Sequence, residues 1–364
     1  MSYLLRISQN FNSTALTSSE LAYYARQILL PSIGTIGQRK LKVARVLVVG
    51  AGGLGCPILQ SLAGAGVGHI SIIDGDDISI SNLSRQWLYS HKDKGKNKAV
   101  SAAERLKEIN TFIEIKALPL MLDQENAFEL IKSHDLVIDA SDTLEARYLI
   151  DDVCTDLNCP WVHAALYRER AQFTVFWARY GASFRLLYPN PSMAPSCSET
   201  GILGSFASLI GNMQAIETIK LITGNATPKV GQLISLDSEK HDLHIFSIPN
   251  VTPPKLYSGD ADCNTEFAVP VKDLEKLIIS TEQFVILDIR DKNNFDNSSI
   301  TGAISYPAEY ILENGYDSAN TGRVLLLCDE GLISSMLAKA MNQQSRKFYY
   351  LEGGLKAWRD QNSC

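Results

Sequence analysis

The chain predicts an α/β protein: a doubly wound, Rossmann-like sheet with an antiparallel extension, followed by a small second α/β domain. Three observations predict it. The apolar run ARVLVV at 44–49 leads into GAGGLG at 50–55, an apolar helix over 57–65 and a second apolar run, HISIID, at 69–74, which together form a βαβ unit with a buried parallel sheet. The pattern recurs: 98–109 is amphipathic, FIEIKA at 112–117 alternates, 124–133 reads as helix, and LVIDAS at 136–141 is again a buried strand. Last, the aperiodic, Pro- and Gly-bearing segment 249–264 marks a boundary, beyond which FVILD at 284–288 and VLLL at 324–327 are buried strands and 334–341 a helix.

The remaining elements follow from local signals. A short helix over 20–30 begins after Ser18 and Ser19, which can act as N-caps, and stops at Pro31 and Gly34. AQFTVFWA at 171–178 alternates as a half-exposed antiparallel strand does; a Pro- and Ser-rich loop spans 189–201, a strongly apolar helix 204–223, and two weak strands, QLISL and LHIFSI, follow.

Composition excludes several classes. With 45% hydrophobic and 20% charged residues the chain is too apolar for disorder, and no apolar run approaches the ~20 residues of a membrane helix. The opening residues lack the apolar core of a secretory signal, so a cytoplasmic location is expected. A net charge of −6 supplies no basic stripe for nucleic acid. The seven cysteines include no C-x-x-C pair, which argues against a disulfide framework and against a cysteine zinc site.

Gly50, Gly52 and Gly55 form G-x-G-x-x-G between strand and helix, with Asp74 closing the next strand. Such glycines let backbone N–H groups approach phosphate at a helix N-terminus while the carboxylate accepts from ribose hydroxyls. Taken alone, the motif is a dinucleotide fingerprint or merely a tight packing turn. Asp74, Asp76, Asn82, Arg85, Gln86 and Lys98 follow just beyond strand ends, and two cations there suit a triphosphate better than the diphosphate of NAD. Asp142, past LVIDAS, suits a Mg²⁺ ligand, since a bare carboxylate beside phosphates is repulsive. Each residue singly reads as a solvated surface charge; together they favour an ATP site.

These stretches resemble the MoeB/ThiF family, bacterial relatives of ubiquitin-activating enzymes. The resemblance is carried by YYARQILLPSIGTIGQRKLK at 23–42, VLVVGAGGLGCP at 46–57, GVGHISIIDGDDISISNLSRQ at 66–86, KNKA at 96–99, DLVIDASDT at 135–143 and PSCSETGILGSFASLIGNMQAIETIKLITG at 195–224. By position it implies that Gly53, Asp74, Ser81, Asn82, Leu83, Ser84, Arg85 and Lys98 hold ATP, that Asp142 coordinates Mg²⁺, and that Thr143 replaces the usual Asn. It also implies a homodimer in which Arg26 reaches into the neighbouring subunit's site; without the resemblance Arg26 is a surface arginine on an amphipathic helix. The family's reaction is adenylation of the C-terminal Gly-Gly carboxylate of a ubiquitin-like sulfur carrier, for which Arg26, Arg85, Lys98 and a bound Mg²⁺ are suitable charge stabilisers.

The sequence departs from the family in places. Where many relatives bind zinc through two C-x-x-C pairs, this chain has SFRL at 183–186 and no cysteine between Ser235 and Cys263, so no zinc is expected. Cys197 matches a loop cysteine that forms a covalent intermediate with the carrier in some members and is dispensable in others, so a catalytic thiol and a plain loop thiol both remain open.

Residues 267–364 resemble a rhodanese domain through VILDIRDKNNF at 285–295, ITGAISYP at 300–307 and YLEGGLKAW at 350–358. Cys328, directly after VLLL and before a helix, is placed in a ring of N–H groups that lowers a thiol pKa and stabilises a persulfide, unless it is merely buried packing. Ser299 replaces the customary histidine, and Asp329 and Glu330 place negative charge beside the sulfur, which disfavours anionic donors and favours either a protein persulfide donor such as a cysteine desulfurase or a degraded activity. Cys56, Cys154 and Cys159 read as small apolar residues and Cys364 as a surface thiol.

The expected division is an N-terminal extension at 1–19, an adenylation domain at 20–250, a linker at 251–266 and a rhodanese domain at 267–364. The expected function is adenylation of the carrier followed by sulfur transfer to a thiocarboxylate, with no nucleic acid or membrane partner. An NAD-dependent oxidoreductase and a non-catalytic carrier-binding scaffold are the alternatives.

Overall fold

The computed structural model describes residues 11, 14–190, 201–224, 228–249, 251, 267–274, 284–297, 299–308, 310–311, 316, 322–342 and 348–362. The backbone divides into two units, Met1–Thr14 with Lys40–Tyr257, and Ala15–Arg39 with Ser258–Cys364.

The first helices are α1 (Ser18–Tyr23) and α2 (Ala25–Ile28). The cap is Thr17 rather than Ser18 or Ser19: its hydroxyl accepts from Glu20 N–H at 3.2 Å while Glu20 accepts from Thr17 N–H at 2.8 Å, a reciprocal pair that only this spacing allows. The single helix expected over 20–30 is broken at Tyr24 (φ −94°, ψ 9°), which buries its ring in the same core as Leu21 and Ile28.

α3 (Gly34–Val43) begins in the second unit's segment and ends in the first, where there follow β1 (Arg45–Val49), α4 (Gly55–Ala65), β2 (His69–Ile73), α5 (Lys98–Ile109), β3 (Glu114–Leu118), α6 (Ala127–Lys132), β4 (Leu136–Asp139) and α7 (Leu144–Leu157). There follow β5 (Trp161–Tyr167), β6 (Arg170–Phe176), α8 (Phe184–Leu187), α9 (Gly204–Thr223), β7 (Gln232–Asp237) and β8 (Asp242–Ser247). Among the described residues these strands form one sheet in the order β3-β2-β1-β4-β5-β6-β7-β8. It is parallel from β3 to β5 and antiparallel beyond, as the sequence predicts. The order reverses between β1 and β4, which opens a crevice at their carboxyl ends.

β1 is covered on both faces, with Val46, Leu47 and Val48 at 0% exposure, so its run is apolar without alternation. The half-exposed character expected of 171–178 is not found: β6 is buried at most positions, because its polar alternates are bonded internally. Gln172 accepts from the Tyr188 hydroxyl at 2.6 Å, and Thr174 donates to the Lys229 carbonyl at 3.5 Å.

The second unit contains β9 (Ala268–Val269), β10 (Phe284–Asp288), α10 (Lys292–Asn297), β11 (Ile304–Ser305), β12 (Arg323–Leu327), α11 (Leu332–Asn342), β13 (Phe348–Leu351) and α12 (Gly354–Asn362). Its strands form a parallel sheet in the order β11-β10-β12-β13-β9. Leu16, Leu21, Tyr24, Ala25 and Ile28 enter one of its cores, among Leu287, Val324, Leu326 and Phe348. Among the described residues no helix is long and apolar enough to cross a membrane.

The turn between β1 and α4 depends on backbone approach. A Cβ on Gly55 would lie 2.2 Å from the Gly50 carbonyl oxygen, whereas one on Gly64, in the same helix, meets nothing within 4 Å. Gly55→Ala is expected to destabilise the first unit by about 1–3 kcal/mol through overpacking. Gly64→Ala is expected to hold or raise stability, because alanine is the better helix former. Thermal unfolding of both variants checks the pair.

Candidate active sites

A cleft of about 840 Å³ lies at the carboxyl ends of β1, β2 and β4. Its lining includes Gly50, Gly52, Gly53, Asp74, Asp76, Asn82, Arg85, Gln86, Lys98, Asp142 and Thr143. Gly55, Ser81, Leu83 and Ser84 stand outside that wall. Gly55 instead packs α4 onto the turn, and Ser81 shapes the loop that carries Arg85: its carbonyl accepts from the guanidinium at 2.9 Å. Arg26 is exposed on α2 in the second unit. Cys197 lies outside the described residues, as do Cys263, Cys364 and most of the 189–201 loop.

Asp74, 8% exposed, holds the cleft's geometry. Its carboxylate accepts from Ala51 N–H at 2.7 Å and from Asp76 N–H at 2.9 Å. Burial raises its pKa, and those N–H groups with Lys98 work against the rise. Lys98 begins α5 behind the Asn97 cap; its ammonium pairs with Asp76 at 2.7 Å and lies 4.0 Å from Asp74. A phosphate entering the cleft would exchange with Asp76 for this cation.

Asp142 is exposed on the wall and carries no hydrogen bond among the described residues, and Thr143 caps α7. The turn bearing Asp142 is braced from below by residues the sequence reading did not single out. Fully buried Asp139 accepts from Ser141 N–H at 3.0 Å and from His163 Nδ1 at 2.8 Å, and Arg147 Nε lies 3.5 Å away. Burial alone would raise the Asp139 pKa; the His163 hydrogen bond and the Arg147 charge outweigh it and hold the group ionised. Burial lowers the pKa of His163, which therefore donates as the neutral imidazole. The signal available was an acid at the end of an apolar strand, since a buried charge requires partners. The apolar wall from Leu120, Met121 and Leu122 was also missed, because a loop following an edge strand has no periodicity to flag it.

At 183–186, where relatives carry zinc cysteines, the chain folds into α8. Ser183 caps it, and the Asp151 carboxylate accepts from Phe184 and Arg185 N–H at 2.8 and 3.0 Å. Among the described residues no group of three or more His, Cys, Asp or Glu is arranged to hold a metal ion.

In the second unit Cys328, 4% exposed, ends β12. Its sulfur accepts from Ser334 N–H at 3.4 Å, with the Ser334 hydroxyl at 3.3 Å, at the start of α11. The loop is clasped by the closing motif: Leu355 N–H donates to the Cys328 carbonyl and Lys356 N–H to that of Asp329, both at 2.9 Å. Gly354 (φ +63°) permits this, because a Cβ there would lie 2.4 Å from the Cys328 carbonyl oxygen.

The expectation that Asp329 burdens the sulfur with bare negative charge needs correction: Asp329 accepts from Arg290 Nη1 at 2.9 Å. Arg290 also donates to the fully buried Asp288, at 3.0 Å through Nε and 2.7 Å through Nη2. Ser299, in the histidine's place, donates to Asp288 at 2.6 Å. Glu330 lies 3.5 Å from Lys356, both well exposed, a contact that solvent screens. Cys56, Cys154 and Cys159 are buried, and burial pushes the Cys56 thiol up to about 12.

Fold and sites define an α/β nucleotide-binding protein joined to a strand–Cys–helix sulfurtransferase unit. The chain belongs to the ThiF family, which residues 24–256 match, and residues 270–361 match the Rhodanese-like domain. A probable adenylyltransferase/sulfurtransferase MoeZ of Mycobacterium tuberculosis is 33% identical over 96% of this chain and 95% of its own. Adenylyltransferase and sulfurtransferase MOCS3 of Aedes aegypti is 34% identical over 94% and 87%. A sulfur carrier protein adenylyltransferase of Thermus thermophilus is 40% identical over 61% and 85%. Among solved structures, E. coli MccB with ATP shares the fold at a TM-score of 0.55, 21% identical, over 65% of this chain and 72% of that one. The ThiF and rhodanese halves fit adenylation and sulfur transfer, and this membership sets the oxidoreductase alternative aside.

The Asp288–Arg290 pair yields a prediction. Burial would raise the Asp288 pKa, but the hydrogen bonds from Arg290 and Ser299 depress it below 3.8. A depressed carboxylate contributes stability above its unfolded pKa and loses it as pH falls through the folded value. Asp288→Ala is expected to destabilise the second unit by up to about 3–5 kcal/mol at neutral pH, since it leaves a buried cation with only the half-exposed Asp329 opposite it. The difference from the parent should begin to shrink below about pH 4, where the unfolded carboxyl takes up a proton while the folded one is still ionised; denaturant unfolding at several pH values checks it.

Proposed function

We propose that this chain adenylates the C-terminal Gly-Gly carboxylate of a ubiquitin-like sulfur carrier with ATP and then converts it to a thiocarboxylate using sulfur carried on Cys328. One observation carries the reading: Arg85, Lys98 and Asp142 face a single cleft over the glycine turn, in a chain whose other unit presents a thiol to helix N–H groups.

In the first step a carrier carboxylate oxygen attacks the α-phosphorus of ATP. The new O–P bond forms as the bond to pyrophosphate breaks. No base is required, because the carboxylate is ionised at neutral pH. Asp74 accepts from ribose, the backbone at Gly52 and Gly53 approaches phosphate, and Arg85 and Lys98 stabilise charge on the equatorial and leaving oxygens. Asp142 is the residue to hold Mg²⁺: it is exposed to the cleft, and Mg²⁺ binds through one or two carboxylates together with substrate phosphates. Once bound, that ion neutralises phosphate charge. Arg26 serves the site of a second copy, which makes the working form a homodimer.

Cys328 thiolate then attacks the outer sulfur of a donor persulfide, such as that of a cysteine desulfurase, and the donor leaves as thiolate. The Cys328 persulfide attacks the acyl adenylate carbonyl, expelling AMP. A thiol, Cys197 or an external one, attacks Cys328 Sγ in the acyl disulfide; the thiocarboxylate departs and a thiol reductant resets the resulting disulfide. Asp291, Asp329 and Glu330 outnumber Arg290 on the pocket rim, which disfavours dianionic donors such as thiosulfate. The cytoplasm is the location proposed with this scheme, because the scheme consumes ATP and a thiol reductant.

ATP–pyrophosphate exchange that depends on a Gly-Gly-ended carrier tests the adenylation. Lys98→Ala is expected to lower it by about 10²–10³-fold, the usual loss when one preorganised charge stabiliser is removed. Carrier-independent exchange, or none with any sulfur carrier from the same cell, would refute the reading. Cys328→Ala should leave exchange intact and abolish thiocarboxylate formation; formation that survives the change would make the second unit a docking scaffold.

A further inference from the structure

Cys328 sits at the base of a pocket of about 500 Å³ whose apolar walls are Ile289, Pro307, Ala308 and Ile333 on one part and Leu29 and Pro31 on the other. Leu29 and Pro31 come from the start of the chain, within residues 24–256 that match ThiF and not within the rhodanese match. They are fixed in place. Leu21, Tyr24, Ala25 and Ile28, each 2–6% exposed, anchor the preceding helices in the core that also contains Cys328. Leu29 N–H donates to the Ala25 carbonyl at 3.2 Å, and Ile33 and Gly34 N–H both donate to the Leu30 carbonyl at 2.9 Å, so the turn around Pro31 is held from both sides. The proline ring removes backbone freedom at its centre.

We infer that Leu29 and Pro31 determine specificity at the sulfur-transfer site by narrowing the approach to Cys328, so that the pocket admits a slim arm such as a cysteinyl persulfide side chain and rejects bulkier thiol reactants. The inference rests on Cys328 being the sulfur-accepting thiol. The neighbouring wall is apolar and the rim is acidic, and Arg290, its cation, is engaged by Asp288 and Asp329. Selection therefore works through width, and Leu29 sets that width from outside the rhodanese sequence itself.

The test uses the full chain and reads the Cys328 peptide by mass spectrometry. Iodoacetamide, whose iodide the thiolate displaces, is the small probe; a maleimide bearing a bulky substituent, to which the thiolate adds, is the large one. Leu29→Ala and Pro31→Ala are expected to raise the large-probe rate several-fold with the small-probe rate unchanged, and Leu29→Trp to suppress the large probe selectively. A probe ratio that is the same in all variants, or rates that rise together as they would if the segment simply unfolded, overturns the inference. Loading the unmodified chain with cysteine persulfide, which carries only the slim arm, separates the two readings: failure to label Cys328 refutes the sulfur-accepting role, whereas the probe ratio judges the wall.

Discussion

The hydrogen bond from Ala51 N–H to the Asp74 carboxylate, 2.7 Å long, is the contact from which the nucleotide cleft is built. It ties the end of β2 to the glycine turn after β1, so the turn is formed before any ligand arrives. From Asp74 the chain returns through Asp76, whose carbonyl accepts Lys98 N–H at 2.9 Å and whose carboxylate holds the Lys98 ammonium. The glycine turn, the Asp74 carboxylate and the Lys98 ammonium are thus parts of one hydrogen-bonded circuit. Burying Asp74 raises its pKa because only N–H donors and a cation at 4.0 Å offset lost water. The hydroxyl donors of the proposed ribose contact would offset part of that cost.

Much of this was legible in the sequence because its signals were local. Helices 98–109 and 204–223 fall where periodicity put them, and the strands at 45–49, 69–73 and 136–139 coincide with apolar runs that two-sided burial demands. The cleft residues announced themselves as charges at strand ends. What was not legible depends on partners distant in the chain. Asp139 reads as the end of a strand until His163 and Arg147 are brought beside it, and Gln172 and Thr174 read as exposed alternates until Tyr188 and Lys229 satisfy them. The amphipathic face of residues 18–28 states that a core exists, but not that its core is made of residues 287–350.

The thiol loop shows how a charge count can mislead when geometry is missing. Asp329 adjoins Cys328 in sequence, yet Arg290 reaches it from the end of another strand, and Asp288 and Ser299 orient that arginine. The residue in the place of the customary histidine therefore has a defined task, since its hydroxyl completes the shell of a buried carboxylate. The sulfur accepts from Ser334 N–H, while the Leu355 and Lys356 N–H groups clasp the carbonyls of Cys328 and Asp329 and so fix the loop around it.

The shared core of the second unit also bears on how the chain comes to be folded. Leu16, Tyr24 and Ile28 are synthesised well before Val324, Leu326 and Phe348, which cover them. During synthesis a domain generally folds as its residues become available, and contacts between distant segments close slowly. The sheet of the first unit can therefore assemble while the leading helices still expose their apolar face. Synthesis of the strands that cover them ends that wait, and until then the leading helices carry an apolar face in need of shelter.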